Sequence, residues 1–274
     1  MKLIKKLLYT ILNCLNFFLS LKKKDNLLVT LPRSGTHLTL AMLNICYSMQ
    51  KGHGKNFSAI DNGYKTLDNL DFPFDERSIF LKDKNRKILW HSHMPYNKII
   101  PLRKKYCKTV VLIREPVEGI KSYAVKIIRD SKVKFDNQLS YEEFLKLNKK
   151  HNIIYRYNSY YSSWYKVKIK AKKYNSVYEP FIFDLNQIKK KKKSYLEFLN
   201  NLYNFEFNEE QIQSAIEQLD MSQIKKKLSQ NTVRFTNTSI TFSSEIDKII
   251  DQECRKNYEK IKKLSDEKIL LNHV

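Results

Sequence analysis

Three short clusters in this chain hold the residue types that grip anions and move protons. The first is Pro32-Arg33-Ser34-Gly35-Thr36-His37. An apolar run, Leu27 to Leu31, precedes it, and apolar spacing resumes at Leu38, Leu40, Ala41 and Leu43. That pattern is a strand, a tight turn and a helix. Such a turn presents backbone N–H groups at a helix N-terminus, where phosphate-like anions bind. Arg33 adds a guanidinium with several N–H donors, and Thr36 adds a hydroxyl. The order of residues excludes a nucleoside-triphosphate loop of the form G-x-x-x-x-G-K-[ST]: no glycine precedes Gly35, and no Lys-Ser pair follows it.

The second cluster runs from Arg114 to Ser122-Tyr123. Arg114 ends the β-branched run Lys108 to Ile113, and Ser122 lies about two turns into a helix expected from Val117 to Ile128. A guanidinium at a strand end and a helix hydroxyl can converge on one phosphate. The alternative is a local pairing of Arg114 with Glu115 or Glu118. The third cluster is Trp90-His91-Ser92-His93-Met94-Pro95, at the end of a strand expected over Lys87 to His91. Imidazole, with an ordinary pKa of about 6.5, suits a general base. Strand alternation places His91 and His93 on the same side if the strand continues that far. A hydrogen-bonded core histidine is the plainer reading.

The elements that must position these clusters alternate between strand and helix. Further helices are expected from Phe144, after the capping-box pattern Ser140-Tyr141-Glu142-Glu143, and over Tyr155 to Lys172, Ser194 to Tyr203, Glu209 to Leu219 and Ser244 to Leu264. Val177 to Leu185 reads as a strand, and Lys189 to Lys193 as a solvated turn or helix start. Lys51 to Lys87 reads as loops with short helices. The tyrosines of Tyr155 to Tyr165 fit core packing better than a sugar or aromatic site. Alternating strands and helices imply an α/β fold: a central parallel sheet flanked by helices in three layers.

Composition narrows the function less than the motifs do. The chain has 274 residues and a formal charge of +23, with lysines spread along its length. That basic surface favours anionic ligands without naming one. No nucleic-acid partner is expected. Cys14, Cys46, Cys107 and Cys254 lie far apart, without zinc-ligand spacing, as idle thiols of a reducing compartment do. No metal is implied, and the location read from this is cytoplasmic. Residues 1–24 read as an amphipathic helix, too short in its apolar stretch for a comfortable span. It can lie in a membrane interface, giving peripheral membrane contact, or pack on the domain or a second subunit.

The first cluster resembles the 5′-phosphosulfate loop of sulfotransferases that use 3′-phosphoadenosine 5′-phosphosulfate (PAPS), whose usual form is Pro-[Lys/Arg]-[Ser/Ala]-Gly-[Thr/Ser]. Arg114 with Ser122 resembles the family's 3′-phosphate grip, and Ser92-His93-Met94-Pro95 its [Thr/Ser]-His-x-Pro. The resemblance implies a P-loop-type fold over residues 25–274, with PAPS as sulfuryl donor. It implies His93 as the base, with His91 as competitor, and Arg33 as the charge-stabilising group. Arg33, Ser34, Gly35, Thr36, His37, Arg114, Ser122 and Arg234 would bind the nucleotide. Asp184-Leu185 matches the end of a family strand. Leu38 and Met221 replace the aromatic residues that usually hold adenine, and Phe235-Thr236 replaces the Lys-Gly after Arg234. The acceptor stays open: carbohydrate, lipid-linked sugar, small alcohol or peptide tyrosine. The rivals are a P-loop nucleotide kinase-like enzyme, which needs a Lys-Ser pair and Mg²⁺-binding carboxylates, a non-catalytic basic protein for RNA or membrane, and a family member that binds its nucleotide without transferring.

Overall fold

Five parallel strands carry the site, in the order β2-β3-β1-β4-β6. They are β1 (Asn26–Thr30), β2 (Tyr64–Thr66), β3 (Leu89–Ser92), β4 (Lys108–Ile113) and β6 (Phe181–Asp184). A short parallel pair, β5 (Gln138–Leu139) with β7 (Thr241–Phe242), stands apart from that sheet. The helices are α1 (Thr36–Gln50), α2 (Pro116–Asp130), α3 (Tyr141–His151), α4 (Ile153–Lys173), α5 (Leu185–Lys190), α6 (Lys192–Tyr203), α7 (Glu209–Gln218) and α8 (Ser244–Lys262). The computed structural model describes residues 26–50, 64–66, 89–93, 108–131, 138–174, 176, 179–218 and 240–271. The expected helix over residues 1–24 lies outside them, as do most of Lys51 to Lys87, Cys14, Cys107, Met221 and Arg234.

Strand alternation builds the three layers. Leu27, Val29, Leu31, Val111, Ile113 and Ile182 face one side and pack with buried residues of α2, α4 and α8. Leu28, Val110, Leu112 and Phe183 face the other and pack with α1, α6 and α7. Both faces are covered, so the strands read as continuous apolar runs. The parallel sheet with helices on both faces is the architecture expected from the sequence.

Local signals set most boundaries. Ser140 and Glu143 exchange capping-box hydrogen bonds at the start of α3. α4 starts two residues earlier than its periodicity suggests, because Asn152 turns in the left-handed region (φ 51°) and separates it from α3. The strand expected over Val177 to Leu185 is confined to Phe181–Asp184 among the described residues. Asp184 caps α5 by accepting from the Asn186 N–H at 2.8 Å, so Leu185 is already helical. The lysine run straddles a break at Lys191 between α5 and α6.

The open edge of β6 is closed by one aspartate. Asp266 donates its N–H to the Ile182 carbonyl and accepts the Ile182 N–H on its carboxylate, both at 2.7 Å. Lys168, 1 % exposed, donates to that carboxylate at 2.9 Å and to the Pro180 carbonyl at 2.8 Å. A backbone and a carboxylate thus stand where another strand would pair, and a buried ammonium balances the charge. Among the described residues, no helix is long and apolar enough to cross a membrane.

Candidate active site

Three strand ends meet at the C-terminal rim of the sheet. After β1 the chain turns through Arg33 (φ 69°) and Gly35 (φ 105°), both left-handed. A left-handed arginine is uncommon and marks a backbone shaped for more than connection. The Ser34 N–H, expected to face an anion, donates instead to the Leu31 carbonyl at 3.0 Å and closes the turn. α1 opens at Thr36 with no acidic residue in its first turn. Its leading N–H groups have no intrahelical acceptor, and no carboxylate of its own first turn lies beside them. A Cβ on Gly35 would come within 2.8 Å of Leu185 Cδ1, a side-chain end that would have to shift, and the φ of 105° itself favours glycine.

His93 lies one residue beyond β3. β1 and β3 pair with Leu28 beside His91 and Val29 beside Ser92. The strand ends there, so the alternation that would make the two histidines equivalent does not reach His93. His93 Nδ1 lies 2.9 Å from the Thr30 carbonyl and 3.1 Å from the Thr30 hydroxyl. A carbonyl only accepts, so Nδ1 carries the proton and the basic lone pair of the neutral ring is on Nε2. The Thr30 hydroxyl also meets the Thr36 hydroxyl, 2.5 Å away. Imidazole, strand end and helix start therefore form one connected polar unit. His91 is placed by its backbone register alone.

The basic residues form a second unit. Arg33 Nε donates to Ser122 Oγ at 3.0 Å. Arg114 Nη1 donates to the Arg33 carbonyl at 2.8 Å, and Nη2 reaches Glu118 at 3.3 Å. The local pairing of Arg114 with Glu118 is present, and Arg114 also sits beside Arg33, the residue that donates to Ser122. Its Nε is buried with no hydrogen-bond partner among the described residues, a donor suited to an anion. Arg33, Arg114 and Ser122 come together here. Ser34 and Thr36 are buried in the turn, and His37 follows in α1.

Sequence reasoning missed what holds these turns from below. Tyr157 donates to the Pro32 carbonyl at 2.9 Å, and Tyr161 to the Arg114 carbonyl at 2.5 Å. Tyr160 lies 3.0 Å from the Val29 carbonyl and 3.1 Å from that of Leu112. The signal was present: Tyr157, Tyr160, Tyr161 and Trp164 recur at the spacing of one helix face. It pointed to packing, and packing is what the rings do, but their hydroxyls reach the site backbone. Among the described residues, no group of three or more His, Cys, Asp or Glu is placed to hold a metal ion.

Comparison with known proteins agrees with this geometry. The sulfotransferase domain family matches residues 23–265. The fold is similar to that of mouse sulfotransferase SULT7A1 complexed with PAP, at 15% identity and a TM-score of 0.56, over 88% of this chain and 87% of that one. It is also similar to retinol dehydratase in complex with androsterone and inactive cofactor PAP, at 14% identity and TM-score 0.58, over 85% and 80% of the two chains. A retinol dehydratase complex with retinol and PAP gives 14% identity and TM-score 0.56, over 85% and 81%. No curated protein matches the sequence. With the turn after β1, the strand-end histidine and the neighbourhood of Arg33, Arg114 and Ser122 on one sheet rim, the chain belongs to the sulfotransferase domain family.

Proposed function

We propose that this protein moves a sulfuryl group from PAPS to a hydroxyl or amine of a small acceptor, with His93 as general base. The observation that carries the reading is the His93 Nδ1 contact with the Thr30 carbonyl at 2.9 Å, immediately before the anion-binding turn. It leaves the basic nitrogen on the other side of a ring held at the rim of that turn. His93 takes the acceptor proton on Nε2 as the acceptor oxygen or nitrogen attacks sulfur in line. The donor supplies an activated sulfuryl group on a 5′-phosphate leaving group. Arg33 and the N–H groups of Gly35, Thr36 and His37 bear the negative charge there, in a preorganised field. Arg114 and Ser122 hold the 3′-phosphate, and Arg234 joins them from a segment outside the described residues. No metal enters this scheme.

The acceptor class follows by analogy. The similar retinol dehydratase structures hold androsterone or retinol beside PAP, and both molecules carry a hydroxyl group. A small hydroxyl-bearing molecule is therefore the first class to test, with carbohydrates second. Contact with a membrane through residues 1–24 remains part of the proposal.

The test is transfer of labelled sulfate from PAPS to a panel of small alcohols, phenols and sugars. Wild type transfers, and His93→Ala loses about 10²–10⁴-fold in turnover while PAP still binds. Equal turnover in His93→Ala would show that the base is another group. Loss confined to His91→Ala would exchange the two histidines. Binding of PAP in EDTA, without preference for ATP, separates this reading from a nucleotide kinase.

A further inference from the structure

One face of α4 runs beneath both anion-binding turns. Tyr157 and Tyr161 lie one helical turn apart on that face, each fully buried. The Tyr157 hydroxyl holds the carbonyl of Pro32, the residue before Arg33. The Tyr161 hydroxyl holds the carbonyl of Arg114 itself. Arg114 in turn holds the Arg33 carbonyl through Nη1 at 2.8 Å. The backbones that carry the two arginines are thus tied to one rigid helix and to each other.

We infer that Tyr157 and Tyr161 are positioning residues that set the separation between the Arg33 turn and the Arg114 strand end, so that the 5′- and 3′-phosphates of one nucleotide are gripped together. This rests on the donor assignment proposed above. A ligand with two anionic ends gains from its second contact only if the second subsite lies at the matching distance. A misplacement of about 1 Å is enough to forfeit much of that gain.

The rings are built to hold such a distance. Tyr157 and Tyr161 meet edge to face, with centroids 6.0 Å apart, and Tyr161 meets Tyr160 in the same way at 6.2 Å. Gly119 admits Tyr157: a Cβ there would lie 2.9 Å from the ring edge and 3.0 Å from the hydroxyl. A glycine inside α2 is less favourable there than alanine, so the room for this ring is kept at a cost to the helix. Burial raises the Tyr157 and Tyr161 hydroxyls well above the ordinary tyrosine range, so both stay protonated donors at any working pH.

Tyr160 supplies the internal control. It lies on the same helix, equally buried, but its hydroxyl meets the Val29 and Leu112 carbonyls within the strands. The experiment measures binding of PAP, 5′-AMP and 3′-AMP by titration calorimetry, with thermal melts alongside. It compares wild type, Tyr157→Phe, Tyr161→Phe, the double variant and Tyr160→Phe. The double variant should bind PAP roughly tenfold more weakly, while each mononucleotide changes less than about twofold. Tyr160→Phe should lower the melting temperature comparably and leave the ratio of PAP to mononucleotide affinity at the wild-type value. The inference is overturned if wild type binds PAP and the double variant binds it equally well. It is also overturned if PAP and both mononucleotides weaken by one common factor, or if Tyr160→Phe changes the ratio as much as the double variant. Wild type that binds no PAP overturns the donor assignment itself, and this inference with it.

Discussion

The turns after β1 and β4 are the same local device, a strand running into a helix, yet they handle their helix N-termini in opposite ways. After β1, two left-handed residues open the turn, and α1 begins with no carboxylate in its first turn. After β4, Glu115 caps α2 by accepting the Glu118 N–H at 2.9 Å, Pro116 removes one donor, and Glu118 adds a second carboxylate. Under the proposed function, the first helix start takes an external anion. The second is filled by the chain's own oxygens, and under the proposed function the anion-binding group there is the Arg114 side chain. One rim therefore presents a backbone subsite beside a side-chain subsite. The backbone one is suited to a group whose charge changes during reaction. The side-chain one is suited to an anchor.

Arg33→Ala breaks the comparison hardest. It removes the charge that serves the reacting side, and kcat/KM should fall by about 10²–10³. Arg114→Ala should act mainly on PAP affinity, with the smaller effect on kcat; steady-state kinetics with varied PAP distinguishes them. If both variants lose kcat alike, the division of labour is wrong.

Gly35→Ala attacks the backbone subsite without touching a charge. Its φ of 105° and the Leu185 contact predict a stability loss of about 2 kcal/mol with weakened PAP binding, readable by melts and calorimetry. Gly119→Ala on the β4 side should disturb the Tyr157 ring instead, and through it the Pro32 carbonyl.

High pH tests the support shared by both turns. Tyr157, Tyr160 and Tyr161 have hydroxyl pKa values raised by burial. The unfolded chain loses those protons near pH 10 while the folded chain keeps them, so stability is full below about pH 10 and falls as pH rises above it. Each such tyrosine subtracts about 1.4 kcal/mol per pH unit beyond that point. Tyrosinate absorbance and circular dichroism should then change together in one transition. Ionisation of these tyrosines ahead of unfolding would contradict their burial.

The smallest effect belongs to the filled cap. Glu115→Ala should lower stability by about 1 kcal/mol, a melting shift of roughly 2–4 °C. Glu115 also pairs with Arg255 at 2.7 Å, and the double variant with Arg255→Ala separates the cap from the ion pair.

Much of this was legible locally. Lys108–Ile113 is the strand its β-branched run describes, Ser140 and Glu143 cap α3 as their spacing says, and the order of strands and helices implies the parallel sheet. The three chemical clusters were also visible, because residue type and spacing at a strand end are properties of a few neighbouring positions. Lys168 was not. A lysine in a helix reads as a solvent-facing charge, and the carboxylates of Glu179 and Asp266, brought from outside its helix, make its burial tolerable. The reach of Arg33 Nε to Ser122 and the second task of the α4 tyrosines were hidden for the same reason.

What the sequence determined by itself is therefore the kind of chemistry: an anion turn with its basic residue before glycine, a histidine at a strand end, and an arginine with a serine two helical turns on. Those are short-range facts of order and periodicity. What only the tertiary structure decided is which histidine nitrogen carries the proton, which N–H groups the turn keeps for itself, and what fixes the distance between the two arginines. Each of these depends on a carbonyl or hydroxyl brought from a distant element by packing across the sheet, and no local pattern encodes that meeting.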